Sequence, residues 1–387
     1  LLKLSFVFFI LIATSVEGAE IPETNTSVRA LGMGNAYSAV VRNKDALFYN
    51  PAGLARVRGV NLTLLNLRAG ANGQNVYDTY NSAKSTTGYA SALRNFYGKN
   101  IWIGAGGKAA VTLPGFGFAA YDSADAAAYL NNPAFPNLNL RYTNDYGFAT
   151  GIAFDLVPTV HVGISAQRIT RTGYSAPVSL STLGTLNNQT LIDQITNTGS
   201  AYSGSAGVIL GIPTPALPRF SVVWKDIGQT TFSKDSGQRA PPPIFSDITA
   251  GFAFDVDLPL LTITPSFDYK HITDSTEVLQ KKIHMGIELD LPLFDLRAGS
   301  SQGYYTAGIG FDLGLIQADA ATYGVELGEY PGQKEDRRYV LEATIEFGFD
   351  FSSGFLKGLV GGSGPDGSSG SSSGSRGGRS RGLKQRR

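Results

Sequence analysis

The chain has 387 residues, no cysteine and a formal net charge of +1, and 16% of its residues are charged, against roughly 25% in a soluble domain. Without cysteine there are no disulfides, no thiol catalysis and no thiolate-bound zinc. Outside the N-terminus no apolar run approaches the roughly 20 residues of a membrane helix, so the route into lipid that remains is a sheet closed on itself.

Leu1 to Gly18 carries Lys3, an apolar run from Leu4 to Ala13, and small residues at Ser15 and Gly18. These are the features of a secretory signal peptide over residues 1–18, with cleavage expected after Gly18. Residues 19–58 follow, with Arg29-Ala-Leu-Gly-Met-Gly-Asn-Ala36 and Asp45-Ala-Leu-Phe-Tyr-Asn-Pro-Ala-Gly-Leu54. Gly32, Gly34 and Asn35 in the first stretch, and Asn50, Pro51, Ala52 and Gly53 in the second, mark a compact segment. Glycine lets backbone pass close to backbone, and Asn-Pro initiates a turn. We expect this segment to fold into a lumen as a plug.

From residue 59 to 351 the chain reads as strands. Segments of strand length fall near 60–70, 99–106, 109–121, 138–155, 159–173, 201–212 and 217–227, then near 244–256, 260–272, 280–290, 294–301, 304–313, 315–327 and 338–351. That makes fourteen, and a bacterial single-chain barrel has an even number. Gly104-Ala-Gly-Gly107 lies near the end of the second segment and reads as a turn. Long connections (Gly70 to Asn100, Asp122 to Asn137, Gly173 to Ser200, Gly228 to Pro243, Glu329 to Arg338) alternate with short Pro-bearing ones at Val157-Pro158, Pro213 to Pro218, Asp257 to Pro259 and Leu291 to Leu293. Short periplasmic turns and longer extracellular loops give this asymmetry.

Side-chain alternation agrees. Tyr339, Leu341, Ala343, Ile345, Phe347 and Phe349 share one face of the last strand, and Glu342, Thr344, Glu346 and Gly348 share the other. Period-two spacing sends the apolar set to lipid and the polar set to the lumen. Segment 315–327 fits poorly, because Gln317 and Asp319 share a face with Tyr323 and Val325; a bulge is expected there. Pro114-Gly115 sits inside the third segment, where proline cannot donate to the ladder, so a kink is expected. Between Val76 and Tyr97, and more weakly between Leu180 and Thr198, apolar residues recur at helical spacing. The expected fold is all-β, a fourteen-stranded antiparallel transmembrane β-barrel with an N-terminal lumenal plug, in the outer membrane of a Gram-negative-type bacterium.

No catalytic constellation stands out, and the chain does not read as an enzyme. His161, His271 and His284 fall on separate strands without metal-ligand spacing, so no metal or cofactor is expected. Asp268, Lys270, Glu288, Asp290, Glu342 and Glu346 should line a hydrated lumen. The tail over 352–387 is rich in Gly and Ser, and from Phe351 onward seven basic residues stand against the lone acid Asp366. Such a tail is flexible and uncored. Its partner would be a periplasmic anionic polymer or an acidic protein, since an exported protein does not meet nucleic acid.

The two N-terminal stretches resemble the hatch of the FadL-type outer-membrane transporters and of the related PorV-like proteins, over roughly thirty residues. That resemblance implies a plugged fourteen-stranded barrel. It also implies a third strand kinked inward to open a side window for apolar substrates, which here would fall on Pro114 and Gly115. Two functions follow from the family. One is passage of fatty-acid-like hydrophobic molecules across the outer membrane with lateral exit into lipid. The other is a non-transporting accessory that docks exported proteins or an envelope machine.

Overall fold

The computed structural model describes residues 20, 23–73, 76–78, 81, 98–131, 137–179 and 196–349. The signal peptide expected over 1–18, most of the helix expected between Val76 and Tyr97, residues 180–195 of the second helical candidate and the basic tail lie outside the described residues.

The wall begins with β1 (Val60–Ala71), β2 (Asn100–Leu113), β3 (Phe116–Asn131), β4 (Asn137–Val157), β5 (Val160–Ser179), β6 (Asn197–Gly211) and β7 (Arg219–Lys225). It continues through β8 (Asp247–Ala253), β9 (Val256–Leu258), β10 (Leu261–Tyr269), β11 (Ile283–Asp290), β12 (Phe294–Ser301), β13 (Tyr304–Asp312), β14 (Ile316–Glu326) and β15 (Glu335–Phe349). Every pairing is antiparallel, and β15 pairs back with β1 from Val60↔Phe349 to Ala71↔Tyr339, which closes the ring. Because β8 and β9 lie in line along β10, the wall has fourteen strands. Closure leaves no backbone edge open to hydrocarbon.

Four details differ from the expectation. Gly104 to Gly107 lie in the middle of β2, and the turn is Pro114-Gly115 itself, between Leu113 and Phe116. The β2–β3 register runs without a shift from Asn100↔Tyr129 to Leu113↔Phe116, so the third strand has no kink at Pro114 and Gly115 among the described residues. A proline costs nothing in a two-residue turn, and Gly115 supplies the positive φ of +79° that the turn requires. The proline that does break the ladder is Pro265. The Phe254 N–H donates to the Pro265 carbonyl at 3.3 Å, but Pro265 has no N–H to return. The Asp255 N–H turns instead to the Ala216 carbonyl at 2.8 Å, and the strand is interrupted between β8 and β9.

The bulge expected in β14 is likewise absent: its register with β15 is continuous from Ile316↔Ile345 to Glu326↔Glu335. Gln317, Asp319, Tyr323 and Val325 do share one face, and it is the inner one, where Ala321 packs with Val28 and Leu31 of the N-terminal segment and Tyr323 lies against them. A lumen lined by folded chain rather than water tolerates apolar residues on its wall. A bulge does occur in β1, between Thr63 and Leu65, and it turns the consecutive Leu64 and Leu65 both outward. Finally, the alternation of long and short connections is broken once, because β12 and β13 are joined at the long-loop end by Gln302-Gly303 alone.

Strand heights are unequal. At about 3.3 Å per residue and a tilt near 40°, the 21 residues of β4 reach roughly 50 Å along the axis. By the same arithmetic the 7 residues of β7 reach about 18 Å, less than an apolar band of about 25 Å. The wall is therefore tall through β3 to β6 and low from β7 to β13. Phe118, Phe148, Ile152, Ile164, Val208 and Val222 are exposed on the outer face, with Tyr146, Tyr202, Trp224, Tyr305 and Tyr339 higher on the same face. Ile164 and Gln167 lie three residues apart on β5, on opposite faces. We expect Ile164→Arg to cost about 2–4 kcal/mol of barrel stability, as charge near a bilayer midplane does. Gln167→Arg should cost about 1 kcal/mol, the loss of the bond it accepts from Tyr121. Urea titration of the heat-modifiable gel band in liposomes measures both.

Candidate ligand chamber and the segment beneath it

Residues from Asn25 to Val57 run through the interior and fill its lower part. Short helices α1 (Val28–Gly32) and α2 (Ala46–Tyr49) and a 3-10 turn (Pro51–Arg56) carry them. The sequence gives these elements little local support, since none has an acidic first turn and only the 3-10 turn has a capping side chain, Asn50. Packing holds them instead. Met33, Tyr37, Val41, Leu47, Phe48 and Leu54 form one core with Ala110, Ala119, Ala149 and Ala153 of the wall.

Polar contacts fix the segment all round the ring. The Asp268 carboxylate on β10 accepts the Tyr37 N–H at 2.9 Å, the Ser38 N–H at 3.0 Å and the Ser38 hydroxyl at 2.6 Å. Arg29 Nε donates to Glu288 at 2.8 Å, and Glu288 also accepts from Arg297 Nε at 2.8 Å. Lys108 on β2 meets Asp45 at 3.1 Å. Thr306 on β13 accepts from the Gly34 N–H at 2.9 Å and donates to the Gly32 carbonyl at 3.0 Å. Asp268, Glu288, Glu342 and Glu346 face inward as the alternation predicts, but they are buried against chain and not hydrated.

The sequence-derived plug residues come together here. Asn50, fully buried, donates to the Ser38 carbonyl at 3.1 Å and accepts the Ala52 N–H at 3.1 Å. Pro51 and Ala52 lie so close to β5 that a Cβ on Gly163 would sit 2.4 Å from the Pro51 carbonyl carbon. Gly53 and Gly34 are equally confined: Cβ atoms there would meet the Val41 carbonyl oxygen at 2.5 Å and the Met285 carbonyl oxygen at 2.2 Å. Gly32 lies against Gly308, and Asn35, at φ 60°, accepts from the Tyr49 hydroxyl at 2.8 Å. Pro114 and Gly115 are apart from them at the lower rim, where the Gly115 N–H meets the Leu54 carbonyl at 3.0 Å.

Above this packed segment the lumen opens into a chamber of about 1150 Å³. Its lining mixes Phe48, Tyr121, Tyr129, Ile169, Ile244 and Phe245 with Arg141, Asp145, Arg171, Lys225, Lys270 and His271. One side is made by the connection from β7 to β8, which folds inward: Phe232 is buried against Ile169 and Ala201, with Ile244 packed beside it. Arg171 holds this fold, with its guanidinium 4.8 Å from the Phe232 ring, 2.8 Å from the Pro242 carbonyl, and doubly paired to Asp145 at 2.6 Å. At the chamber floor, Lys270 pairs with Glu23 at 3.0 Å, and Glu20 lies between Arg141 at 2.7 Å and Arg338 at 2.8 Å. Burial alone would raise the Glu20 carboxyl, but the two guanidiniums outweigh it and hold it down at about 2.

Sequence reasoning placed none of Glu20, Arg141, Arg171 or Phe245 in a site. Their signal was weak: Arg141 and Arg171 lie in segments read as strand, 138–155 and 159–173, where a single inward-facing arginine does not mark a site. The histidines do not converge; His284 Nδ1 lies 2.9 Å from the Gly34 carbonyl, while His161 pairs with Asp155 and His271 with Asp247. No group of side chains suited to a metal ion occurs among the described residues. Gly163→Ala should loosen the segment by about 1–3 kcal/mol, the usual cost of overpacking. Gly211→Ala, whose Cβ would meet its nearest neighbour at an ordinary 3.7 Å, should not. Hydrogen exchange at the amides of 46–57 reads the difference.

No protein-family model matches the chain, and no curated protein matches it in sequence. Solved structures do match in shape. The monoaromatic hydrocarbon channel CymD aligns over 87% of this chain and 99% of its own, with TM-score 0.51 and 10% identity. A FadL homologue of Pseudomonas aeruginosa aligns over 86% and 100%, with TM-score 0.50 and 11% identity. At these identities the likeness is one of fold, and the fold is that of the FadL-type hydrophobic-compound channels.

Proposed function

We propose that this protein passes hydrophobic small molecules, fatty-acid-like in shape, across the outer membrane, entering by the chamber and leaving sideways through the wall. The fold it shares with hydrophobic-compound channels supports the transport role. The observation that carries the reading is the chamber: about 1150 Å³ of mixed apolar and charged space, with Phe48, Tyr121, Tyr129 and Phe245 on its lining, whose floor is the packed N-terminal segment. A water-filled diffusion pore would have an open axis. Here the axis below Phe48 is filled with side chains, so cargo that enters has to leave in another direction.

Apolar cargo has reason to go sideways, since each CH₂ kept out of water is worth about 0.8 kcal/mol. The Pro114-Gly115 turn at the lower rim has no part in the exit. The low side of the wall suits it better. Above Lys225 the ladder gives way to the irregular 226–246 connection, and Phe245, which lines the chamber, is 72% exposed. Trp224 and Ile227 continue the apolar surface outward.

The test is uptake of a fluorescent dodecanoate by cells that express the chain. Ala127→Trp, which fills the chamber, should bring uptake down to the vector control. Phe245→Asp should leave the purified protein able to bind the probe while uptake falls. If expression confers no uptake and the barrel instead copurifies with an exported protein, the accessory reading replaces the channel.

A further inference from the structure

Below the chamber, and sharing Glu20, Glu23, Thr24, Arg141 and Thr143 with it, lies a small cavity of about 70 Å³. Arg68, Arg141 and Arg338 reach it from three strands, and Trp102 closes one side. The Glu20 carboxylate is bridged, one oxygen to Arg141 Nη2 at 2.7 Å and the other to Arg338 Nη1 at 2.8 Å. Arg338 is oriented by Asp336, which accepts from its Nε at 2.7 Å, and by the Trp102 ring 4.4 Å beneath its guanidinium.

Two donors here are left over. Trp102 Nε1 and Arg338 Nη2 are buried without a hydrogen-bond partner, and each residue is only 4% exposed. A buried donor without a partner is costly, which is a reason to look for a group that uses it. Charge points the same way. Three guanidiniums face the carboxylates of Glu20, Asp125 and Asp336, and of those three Glu20 alone is carried on the N-terminal segment and not on a wall strand. When Glu20 leaves, one positive charge is uncompensated. Two forks set to bridge a pair of oxygens fit a planar carboxylate.

We propose that Arg141, Arg338 and Trp102 form a carboxylate site at the foot of the chamber, which Glu20 occupies in cis until the acid head group of an amphiphile displaces it. This rests on the channel reading above, since the apolar tail of that amphiphile lies in the chamber beside Phe48 and Ile169. The site makes Glu20 an internal competitor. An acid has to repay the Glu20 contacts before it gains its own, whereas a neutral compound of the same length lodges in the chamber without touching the clamp.

Calorimetric titration of the intact chain in non-ionic detergent with decanoate and with decanol tests this. Glu20→Gln should tighten decanoate binding about tenfold, the worth of one charge-assisted contact no longer in competition, and leave decanol unchanged. Arg141→Gln in the Glu20→Gln background should remove the gain. Unchanged or weaker decanoate binding in Glu20→Gln, with decanol still bound, overturns the clamp and leaves the channel reading standing. Binding of neither compound in any form removes both. In case the variants do not fold, the parent alone decides: decanoate, and not decanol, should speed hydrogen exchange at the amides of Glu23 to Thr26. Equal protection with both ligands overturns the proposal.

Discussion

A strand that faces lipid must have every backbone donor and acceptor paired, and in this chain that requirement sets nearly everything else. It forces the sheet to close, through the β1–β15 ladder. Closing fourteen strands leaves a ring too wide for wall side chains to fill, unlike an eight-stranded barrel. The lower lumen is therefore filled by residues 25–57, whose own helices are too short to stand without the wall. Where the ring cannot satisfy its own backbone, at Pro265, the Asp255 N–H is turned to Ala216 and the strand is split in two.

Filling the lumen with chain brings charge into a confined space. Arg29, Glu288, Arg297 and Asp319 form one connected group, and Lys108–Asp45 and Lys44–Glu346 form others. Pairs of this kind add little net stability, because desolvation offsets the attraction, but an unpaired member would cost about 3–5 kcal/mol. They act here as register pins. Asp268, Glu288 and Glu346 on the wall each meet one place on the segment, at Ser38, Arg29 and Lys44, which selects a single seating among the many that Ala and Gly surfaces would allow.

Much of the wall was legible in the sequence, and what was not has physical causes. The last strand alternates cleanly because its outer face meets lipid and its inner face meets the polar flank of the segment. Strand β14 misleads because Ala321 and Tyr323 face an apolar part of that segment, so the alternation assumed for a wet lumen breaks down. Gly104 to Gly107 look like a turn, yet they are strand: a Cβ at Gly104 would lie 2.7 Å from the Trp102 ring. Pro114 proves to be a turn residue and Pro265 a ladder break, and only the pairing partner distinguishes the two. Asn50-Pro51-Ala52 could be read as a compact element, but the glycine of β5 that receives it, Gly163, carries no local signal. The chamber was hardest to foresee. Asp145 and Arg171 meet as cross-strand partners of β4 and β5, but Glu20 of the N-terminus, Arg141 of β4 and Arg338 of β15 are brought within hydrogen-bonding distance only by ring closure.

The central claim is that the axis of this barrel is shut and that cargo uses the chamber and the wall. Ion conductance of the purified chain in a planar bilayer tests it most directly. The intact protein should be electrically silent, and the same protein lacking Ile21 to Leu54 should conduct in steady steps. A steady open conductance from the intact chain would contradict the account.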